Sequence, residues 1–207
     1  MKTEFPRLSE EGMRATLGHP HASISAKILD HLDSNCLAFL AHSPFCCLAT
    51  SDETGACDNS PRGDHPGFVR ALDERTLVIP DRLGNQLADS HVNILRNGHV
   101  GLVCFVPGMI ETLRVNGSAY LTDDEDLLAM LEQDGVVPSL ATVIRVEEAY
   151  LHCGRALLRS GLWDPEMQDL AAELPTSGTF WAEASGLAPE AAAEIDAGMV
   201  GAYRTLY

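Results

Sequence analysis

A succession of short apolar segments, each closed by a turn, is the feature that most constrains the fold of this sequence. The segments predict strands at residues 45–50, 56–60, 68–72, 76–80, 100–106, 112–121 and 141–151. Connections such as residues 51–55 and 73–75 are too short for a crossover helix, so the strands return antiparallel. We therefore expect a mainly β fold with flanking helices, arranged as a closed antiparallel barrel rather than a parallel α/β sheet.

Helical spacing of apolar residues predicts the flanking helices. The first runs from Ser23 to the His42-Ser43-Pro44 stop, with these residues on its packed face: Ile28, Leu29, Leu32, Cys36, Leu37, Phe39 and Leu40. The second follows Gly84, ends at Asn97-Gly98, and carries Leu87, His91, Ile94 and Leu95 on one face. An acidic helix is expected over residues 123–133. A last helix is expected in the tail, which carries Ala191, Ile195, Met199, Val200 and Tyr203.

The chain length predicts one structural unit. With 207 residues and 45% hydrophobic content, the chain can bury one sizeable core. We divide it into an N-terminal extension (1–27), a barrel domain (28–163) and a helical C-terminal appendage (164–207) that belongs to the same unit. No run approaches the roughly 18 apolar residues of a membrane span, and residues 1–4 do not begin a signal sequence, so we expect a cytoplasmic protein.

Arginines cluster in one part of an otherwise acidic chain. The net charge of −16 argues against nucleic acid or an anionic membrane as a partner, because both require a basic face. Nevertheless Arg62, Arg70, Arg75 and Arg82 place four of the twelve arginines within 21 residues. Since the guanidinium group suits phosphate and carboxylate, the cluster predicts a local anion site.

The residues around two of these arginines strengthen that prediction. Pro61 and Gly63 flank Arg62, and together they fix the backbone before it and permit close approach after it. Residues 82–86 (RLGNQ) leave a strand and open a helix, where free backbone amides favour an anion. A surface turn with an exposed arginine is the alternative interpretation for Arg62.

Motifs spread over residues 28–166 resemble the FMN-binding split-barrel family related to pyridoxamine 5′-phosphate oxidase. The resemblance is to a subgroup of FMN-dependent enzymes whose substrate is undefined. The motifs that carry it are residues 60–64 (SPRGD), 66–70 (PGFVR), 79–82 (IPDR), 84–85 (GN), 89–90 (DS), 93–95 (NIL), 111–117 (ETLRVNG), 152–153 (HC), 159–160 (RS) and 162–165 (LWDP).

The resemblance implies a homodimer of antiparallel, Greek-key-like split β-barrels with FMN at the dimer interface. It assigns the phosphate to Arg62, Arg82, Asn85, Gln86 and Ser90. It assigns the ring system to Phe68, Val69, Ile79 and Pro80. Residues that would approach the flavin from a later strand or across the interface are Thr112, Arg114, Arg159, Ser160 and Trp163. It implies an FMN-dependent oxidoreductase that transfers hydride at flavin N5 to or from a small molecule.

Two departures from the family qualify this assignment. Gln86 offers no charge at a position where close relatives often carry a basic residue, so Arg62 and Arg82 are expected to bear most of the anion's charge. The segment at residues 159–161 (RSG) and the ending at residues 204–207 (RTLY) differ from the substrate-binding arginine–histidine pair and basic C-terminus of the parent oxidase. We therefore do not expect vitamin B6 oxidase activity.

Other interpretations remain open at this point. The barrel could store or sense flavin or haem without catalysis, or it could use the deazaflavin F420. His19 and His21 could form a metal pair, but no partner lies nearby in sequence, and we predict no metal site. His152 and Cys153 could form a nucleophilic pair, although the end of a strand is the simpler interpretation. No catalytic residue is nominated, because hydride transfer at N5 requires no general base.

Overall fold

The computed structural model describes residues 4–207, and its centre is one seven-stranded antiparallel sheet. The strands are β1 (Phe45–Ser51), β2 (Cys57–Gly63), β3 (Arg70–Asp73), β4 (Thr76–Pro80), β5 (His99–Phe105), β6 (Thr112–Thr122) and β7 (Ala141–His152). Their order across the sheet is β2-β1-β5-β6-β7-β4-β3. The mainly β, antiparallel prediction is confirmed. Within residues 4–207 no ladder joins the edge strands β2 and β3, so the prediction of a closed barrel is wrong.

Helices flank this sheet and extend beyond it. They are α1 (Glu10–Leu17), α2 (Ala22–Ser25), α3 (Ser34–His42), α4 (Asp89–Arg96), α5 (Glu125–Ala129), α6 (Arg155–Ser160), a 3-10 helix (Pro165–Glu173), α7 (Ser177–Ala184) and α8 (Ala191–Ala202). No helix in the described part of the chain combines the length and apolar character needed to cross a membrane. Helices α7 and α8 pack on each other, with Gly178 N–H donating to Asp196 Oδ1 at 2.7 Å.

The core fills one face of the sheet beneath α3 and α4. Leu48, Leu102 and Leu113 are each about 1% exposed there, and Leu40 and Ile94 reach them from the two helices. Burial of each such side chain contributes roughly 1.5–3 kcal/mol to folding. This packing fixes α4 against β1 and β2, and so fixes the loop that leads into α4.

Local signals explain why the chain turns and starts helices where it does. In the β1–β2 turn, one carboxylate oxygen of Asp52 accepts from the N–H groups of Thr54 and Ala56, and Gly55 takes a φ of 88°. Asp33 caps α3, because its Oδ1 accepts from Cys36 N–H at 2.8 Å. Both sets of contacts join residues close in the sequence, and the turn at Asp52 agrees with the predicted hairpin.

The long helix predicted from Ser23 to His42 is wrong in its first half. Only α2 and α3 are helical, and the segment between them is extended enough for Leu29 to bridge Ala149 through two backbone hydrogen bonds of 3.0 and 2.8 Å. Leu29 lies on the edge of β7 and the Leu32 N–H donates to the Glu74 carbonyl, so the apolar spacing before Asp33 does not mark a helical face. The local pattern could not separate the two cases.

Other boundaries also differ from prediction. Helix α4 starts at Asp89, so Leu87 precedes it, and Leu87 and Leu95 are 69% and 72% exposed rather than packed. The acidic helix spans only α5, because Gln133 leaves it to pair with Val136. The strand predicted from Phe68 begins at Arg70.

Candidate functional site

A cavity of about 470 Å³ lies where β2, the end of β4 and the start of α4 meet. Its lining includes five of the residues predicted to hold phosphate: Arg62, Arg82, Asn85, Gln86 and Ser90. A cavity of about 290 Å³ shares part of this wall and adds Phe68 and Pro80 from the predicted ring site. Seven of the fourteen predicted cofactor residues therefore line two adjoining cavities.

Arg62 reaches the cavity from the core side of β2. Its Nη1 donates to Asp81 Oδ1 at 3.4 Å, a long contact, and the same oxygen lies 3.4 Å from His91 Nε2. Burial lowers the pKa of His91 below its ordinary value, and nearby Arg62 lowers it further while Asp81 opposes them. Asp81 therefore joins a guanidinium and a largely neutral imidazole at the cavity wall.

Arg82 is held more tightly than Arg62. Its Nε donates to Asp64 Oδ2 at 2.6 Å, and its Nη2 donates to the Leu131 carbonyl at 2.9 Å. The Asp64 side chain is only 2% exposed. Burial would raise the pKa of Asp64, but hydrogen bonds from Tyr207 and Arg82 outweigh burial and hold that pKa below its ordinary value. The pair is thus a desolvated ion pair with a fixed geometry.

Three buried side-chain donors in residues 4–207 have no hydrogen-bond partner. They are Arg62 Nε, Arg82 Nη1 and Arg114 Nε. Leaving such a donor unsatisfied costs roughly 1–3 kcal/mol, and more where the group is charged. All three atoms belong to arginines that the sequence assigned to the cofactor.

The same cavity also contains carboxylates. Asp58, Asp81 and Asp89 line it, and Ser90 donates to Asp58 Oδ2 at 2.7 Å. The Ser90 side chain predicted to bind phosphate is therefore engaged with an acidic residue. An entering anion would have to compete for this hydroxyl and would meet a locally mixed field.

The loop that opens α4 is conformationally strained. Gln86 and Ala88 take φ values of 61° and 58°, in the left-handed region that non-glycine residues seldom adopt. Ala88 is also the N-cap of α4 and offers no side-chain acceptor to the first-turn amides. Strain concentrated at a cavity wall is typical of functional loops.

The other predicted cofactor residues lie elsewhere in the chain. Val69 and Ile79 are buried in the core, at 1% and 3% exposure. Thr112 and Arg114 lie on β6, where the guanidinium of Arg114 stands 5.4 Å from the Tyr150 ring centroid. Arg159 and Ser160 are exposed at the end of α6.

Trp163, also predicted to contact the cofactor, is 36% exposed. Its Nε1 donates to the Met109 carbonyl at 2.7 Å, which ties the segment after α6 to the loop between β5 and β6. A single chain therefore brings only part of the predicted residues together at the two cavities.

The Tyr150 ring, which the Arg114 guanidinium faces, lines a separate, mostly apolar groove of about 780 Å³. Leu113, Tyr150 and Leu151 contribute to it from the sheet, and Cys36 and Phe39 contribute from α3. This groove and the arginine-lined cavities share none of their lining residues.

The described residues give little support to the two alternative sites, the histidine metal pair and the His152–Cys153 nucleophile. His21 Nδ1 pairs with Ser23 Oγ at 2.8 Å, and within residues 4–207 no group of three or more metal-ligating side chains assembles. His152 packs at 6.3 Å from the Tyr150 ring, and burial, Arg114 and Lys27 together lower its pKa.

Sequence reasoning assigned no role to several residues that shape the site. Asp64 and Asp81 belong to the motifs at residues 60–64 and 79–82. The sequence therefore placed them near the arginines, but it did not predict that they pair with arginines. His91 was placed on a helix face for packing. Tyr207 gave no local signal, because its contact with Asp64 joins residues 143 positions apart.

The fold and the cavities define an antiparallel β-sheet protein with an arginine-lined cleft. The family model for pyridoxamine 5′-phosphate oxidase matches residues 32–153, and the chain belongs to that family. The family predicted from the sequence is thereby confirmed.

The chain also has similarity to several solved structures. HupZ from Group A Streptococcus is 18% identical, with 58% of this chain and 93% of that chain covered and a TM-score of 0.48. General stress protein 26 from Bacillus anthracis is 12% identical, with 56% and 88% covered and a TM-score of 0.43. An FAD-binding protein from Mycobacterium smegmatis is 15% identical, with 60% and 98% covered and a TM-score of 0.40. A search of curated proteins gives no significant match.

Proposed function

We propose that this protein is an FMN-dependent oxidoreductase that acts on a small molecule, with each FMN bound between two copies of the chain. One observation carries the proposal: the three buried donors without partners in the described residues all belong to the predicted cofactor arginines. A phosphate is the acceptor that Arg62 Nε and Arg82 Nη1 lack.

The start of α4 at the cavity wall also suits a phosphate. The first turn of α4 has no side-chain cap, so its amides and the positive end of the helix dipole remain for an anion. The chain's net charge of −16 makes any such site depend on local donors rather than on the overall field. Among the residues that the structure describes, Arg62 and Arg82 are the only arginines that line this cavity.

The ring system is assigned to the adjoining cavity. Phe68 and Pro80 line it next to both arginines, and they offer apolar surface within reach of the phosphate site. Bound FMN would supply hydride transfer at N5, while the protein would supply orientation and hydrogen bonds. The chain's own residues then bind the phosphate, flank the ring and restrict access of water.

A second copy would complete the site. Arg114 has an unpartnered Nε of its own, yet it lies on β6, away from the two arginine-lined cavities. Thr112, Arg159, Ser160 and Trp163 also stand outside those cavities. An interface in which one copy presents Arg62 and Arg82 and the other presents Arg114 would bring the two sets to one ligand.

The decisive experiment is a visible absorption spectrum of the purified protein, followed by titration with FMN, F420 and haem. We expect flavin absorption or saturable uptake of FMN. A colourless protein that does not take up FMN would overturn the proposal, and preferential uptake of F420 or haem would replace the cofactor. Reduction of bound FMN by NADH or NADPH, with turnover by an acceptor, separates an enzyme from a flavin-storing or flavin-sensing protein.

A further inference from the structure

Asp64 is a junction between the arginine-lined cavity and the distant Tyr207. Its Oδ2 accepts from Arg82 Nε at 2.6 Å, and its Oδ1 accepts from the Tyr207 hydroxyl at 2.5 Å. The backbone N–H of His65 also donates to Oδ1, at 2.7 Å. Because the Asp64 side chain is 2% exposed, these donors replace the water that a carboxylate would otherwise hold.

The ring of Tyr207 is packed as well as hydrogen-bonded. It stacks on His65 with centroids 6.5 Å apart and planes 5° apart, and the Arg82 guanidinium lies 5.4 Å from its centroid. Tyr207 also lines a cavity of about 280 Å³ together with Arg82, Gly84 and Gln86. The side chain thus contacts both members of the Asp64–Arg82 pair.

The two carboxylate oxygens of Asp64 accept from different donors, and this determines how Arg82 is held. Tyr207 and His65 occupy Oδ1, so Asp64 offers Arg82 only Oδ2. With Nη2 on the Leu131 carbonyl, the guanidinium is fixed at two nitrogens while Nη1 keeps no partner. A side-on two-oxygen grip by Asp64 would use Nε and Nη2, would take Nη2 from the Leu131 carbonyl, and would so turn the guanidinium and change the direction of Nη1.

We propose that Tyr207 is a positioning residue for the anion site, which keeps Asp64 on Arg82 through a single oxygen and so holds the guanidinium in the orientation in which Nη1 binds a phosphate. The inference rests on the proposed function, because it takes the anion to be the FMN phosphate. The hydrogen bond to Asp64 raises the pKa of Tyr207 to about 12, so the hydroxyl is a donor throughout the neutral range.

The test compares FMN with riboflavin, which lacks the phosphate, on the full-length chain. Tyr207→Phe keeps the ring and removes only the hydroxyl. We expect its Kd for FMN to rise about 3- to 10-fold, the loss of one charge-assisted hydrogen bond acting indirectly, while the Kd for riboflavin changes less than about twofold. Tyr203→Phe is the matched control, because Tyr203 is 67% exposed, and it should bind both flavins as the wild type does.

A double variant makes the test specific to Arg82. In an Arg82→Ala background, Tyr207→Phe should weaken FMN binding no further, since it acts through that guanidinium. Unchanged FMN affinity in Tyr207→Phe, equal weakening of FMN and riboflavin, or an additive effect in the double variant would overturn the inference and leave the proposed function standing. Wild-type protein that binds neither flavin would overturn both.

Discussion

Arg62 and Arg114 lie on opposite faces of the same sheet. The ladder pairs Arg62 with Cys46, Cys46 with Cys104, and Cys104 with Leu113, and directly paired residues of antiparallel strands share a face. Arg114 follows Leu113 on β6, and successive side chains of a strand point to opposite faces. One chain therefore presents its two unpartnered arginine Nε donors in different directions, which favours a site completed by a second copy.

Complementation between two defective chains tests that arrangement. Arg62→Ala and Arg114→Ala should each reduce FMN binding strongly as homodimers. When the two variants are unfolded together and refolded, each mixed dimer would contain one site with both substitutions and one intact site. We expect titration with FMN to recover wild-type affinity in about a quarter of all sites, because random pairing makes half of the dimers mixed.

The control for complementation is a mixture that cannot restore a site. Arg62→Ala refolded with Arg82→Ala should recover nothing, since Arg62 and Arg82 line the same cavity of one chain. Recovery there, or none in the first mixture from chains shown to be dimeric, would contradict an interface site. A wild-type protein that sedimented as a monomer while binding FMN would do so more directly.

Arg62 alone gives the simplest measure of the phosphate contact. Its Nε lacks a partner and its Nη1 makes only a 3.4 Å contact with Asp81, so the guanidinium is weakly committed within the protein. Arg62→Ala should weaken FMN by about 1.5–3 kcal/mol, the range for a hydrogen bond to a charged group. Arg96→Ala, on the exposed end of α4, is the control. Equal FMN affinity in the two variants would mean that Arg62 does not contact the phosphate.

Removing a carboxylate should have the opposite effect. Asp58 lines the cavity and holds the Ser90 hydroxyl at 2.7 Å. Asp58→Asn keeps the shape, removes a negative charge beside the anion and weakens the competition for Ser90. We expect FMN to bind more tightly by about 0.5–1 kcal/mol, measured by titration at low ionic strength, and the gain should shrink in high salt. Weaker binding would show that Asp58 positions Ser90 for the ligand.

The sequence predicted the strands well because their signals are local. Alternating apolar segments and the turn at Asp52 and Gly55 specify a hairpin without help from distant residues. The clustering of Arg62 and Arg82 at one cavity could be predicted for the same reason, since the two residues lie close in the chain. What failed depended on partners far away: Leu29 fits a helical pattern until Ala149 is seen to pair with it. Whether the sheet closes into a barrel depends on whether its two edge strands pair, and no local sequence pattern predicts that pairing.

Burial of His91 should make the apo protein's stability depend on pH. Burial lowers the pKa of His91 in the folded state, so the unfolded chain, with a pKa near 6.5, binds more protons as pH falls. The free energy of unfolding should therefore increase as the pH is raised from about 5 to about 7.5, and decrease as the pH is lowered over the same range. His152, whose pKa is also lowered, adds to the same trend.

Urea denaturation at a series of pH values measures this dependence. His91→Gln should lose less stability than the wild type between about pH 7.5 and pH 5, because its side chain takes up no proton. Leu95→Ala is the control on the same helix, since Leu95 is 72% exposed, and it should keep the wild-type slope. A His91→Gln variant with an unchanged slope would mean that His91 ionises alike in the folded and unfolded chain.

Gly117 sits where the β6–β7 register shifts, between Asn116 and Gly117, and tests the sheet itself. A Cβ there would stand 1.9 Å from the Arg145 carbonyl oxygen, which is backbone and has no rotamer to give. Gly117→Ala should therefore destabilise the protein by about 3 kcal/mol or more, measured as a lower urea midpoint. Gly198→Ala is the matched control, because nothing lies within 4 Å of its added Cβ in α8, and alanine favours the helix by about 0.5–1 kcal/mol. A Gly117→Ala variant as stable as Gly198→Ala would show that the two long strands do not approach as closely as the ladder requires.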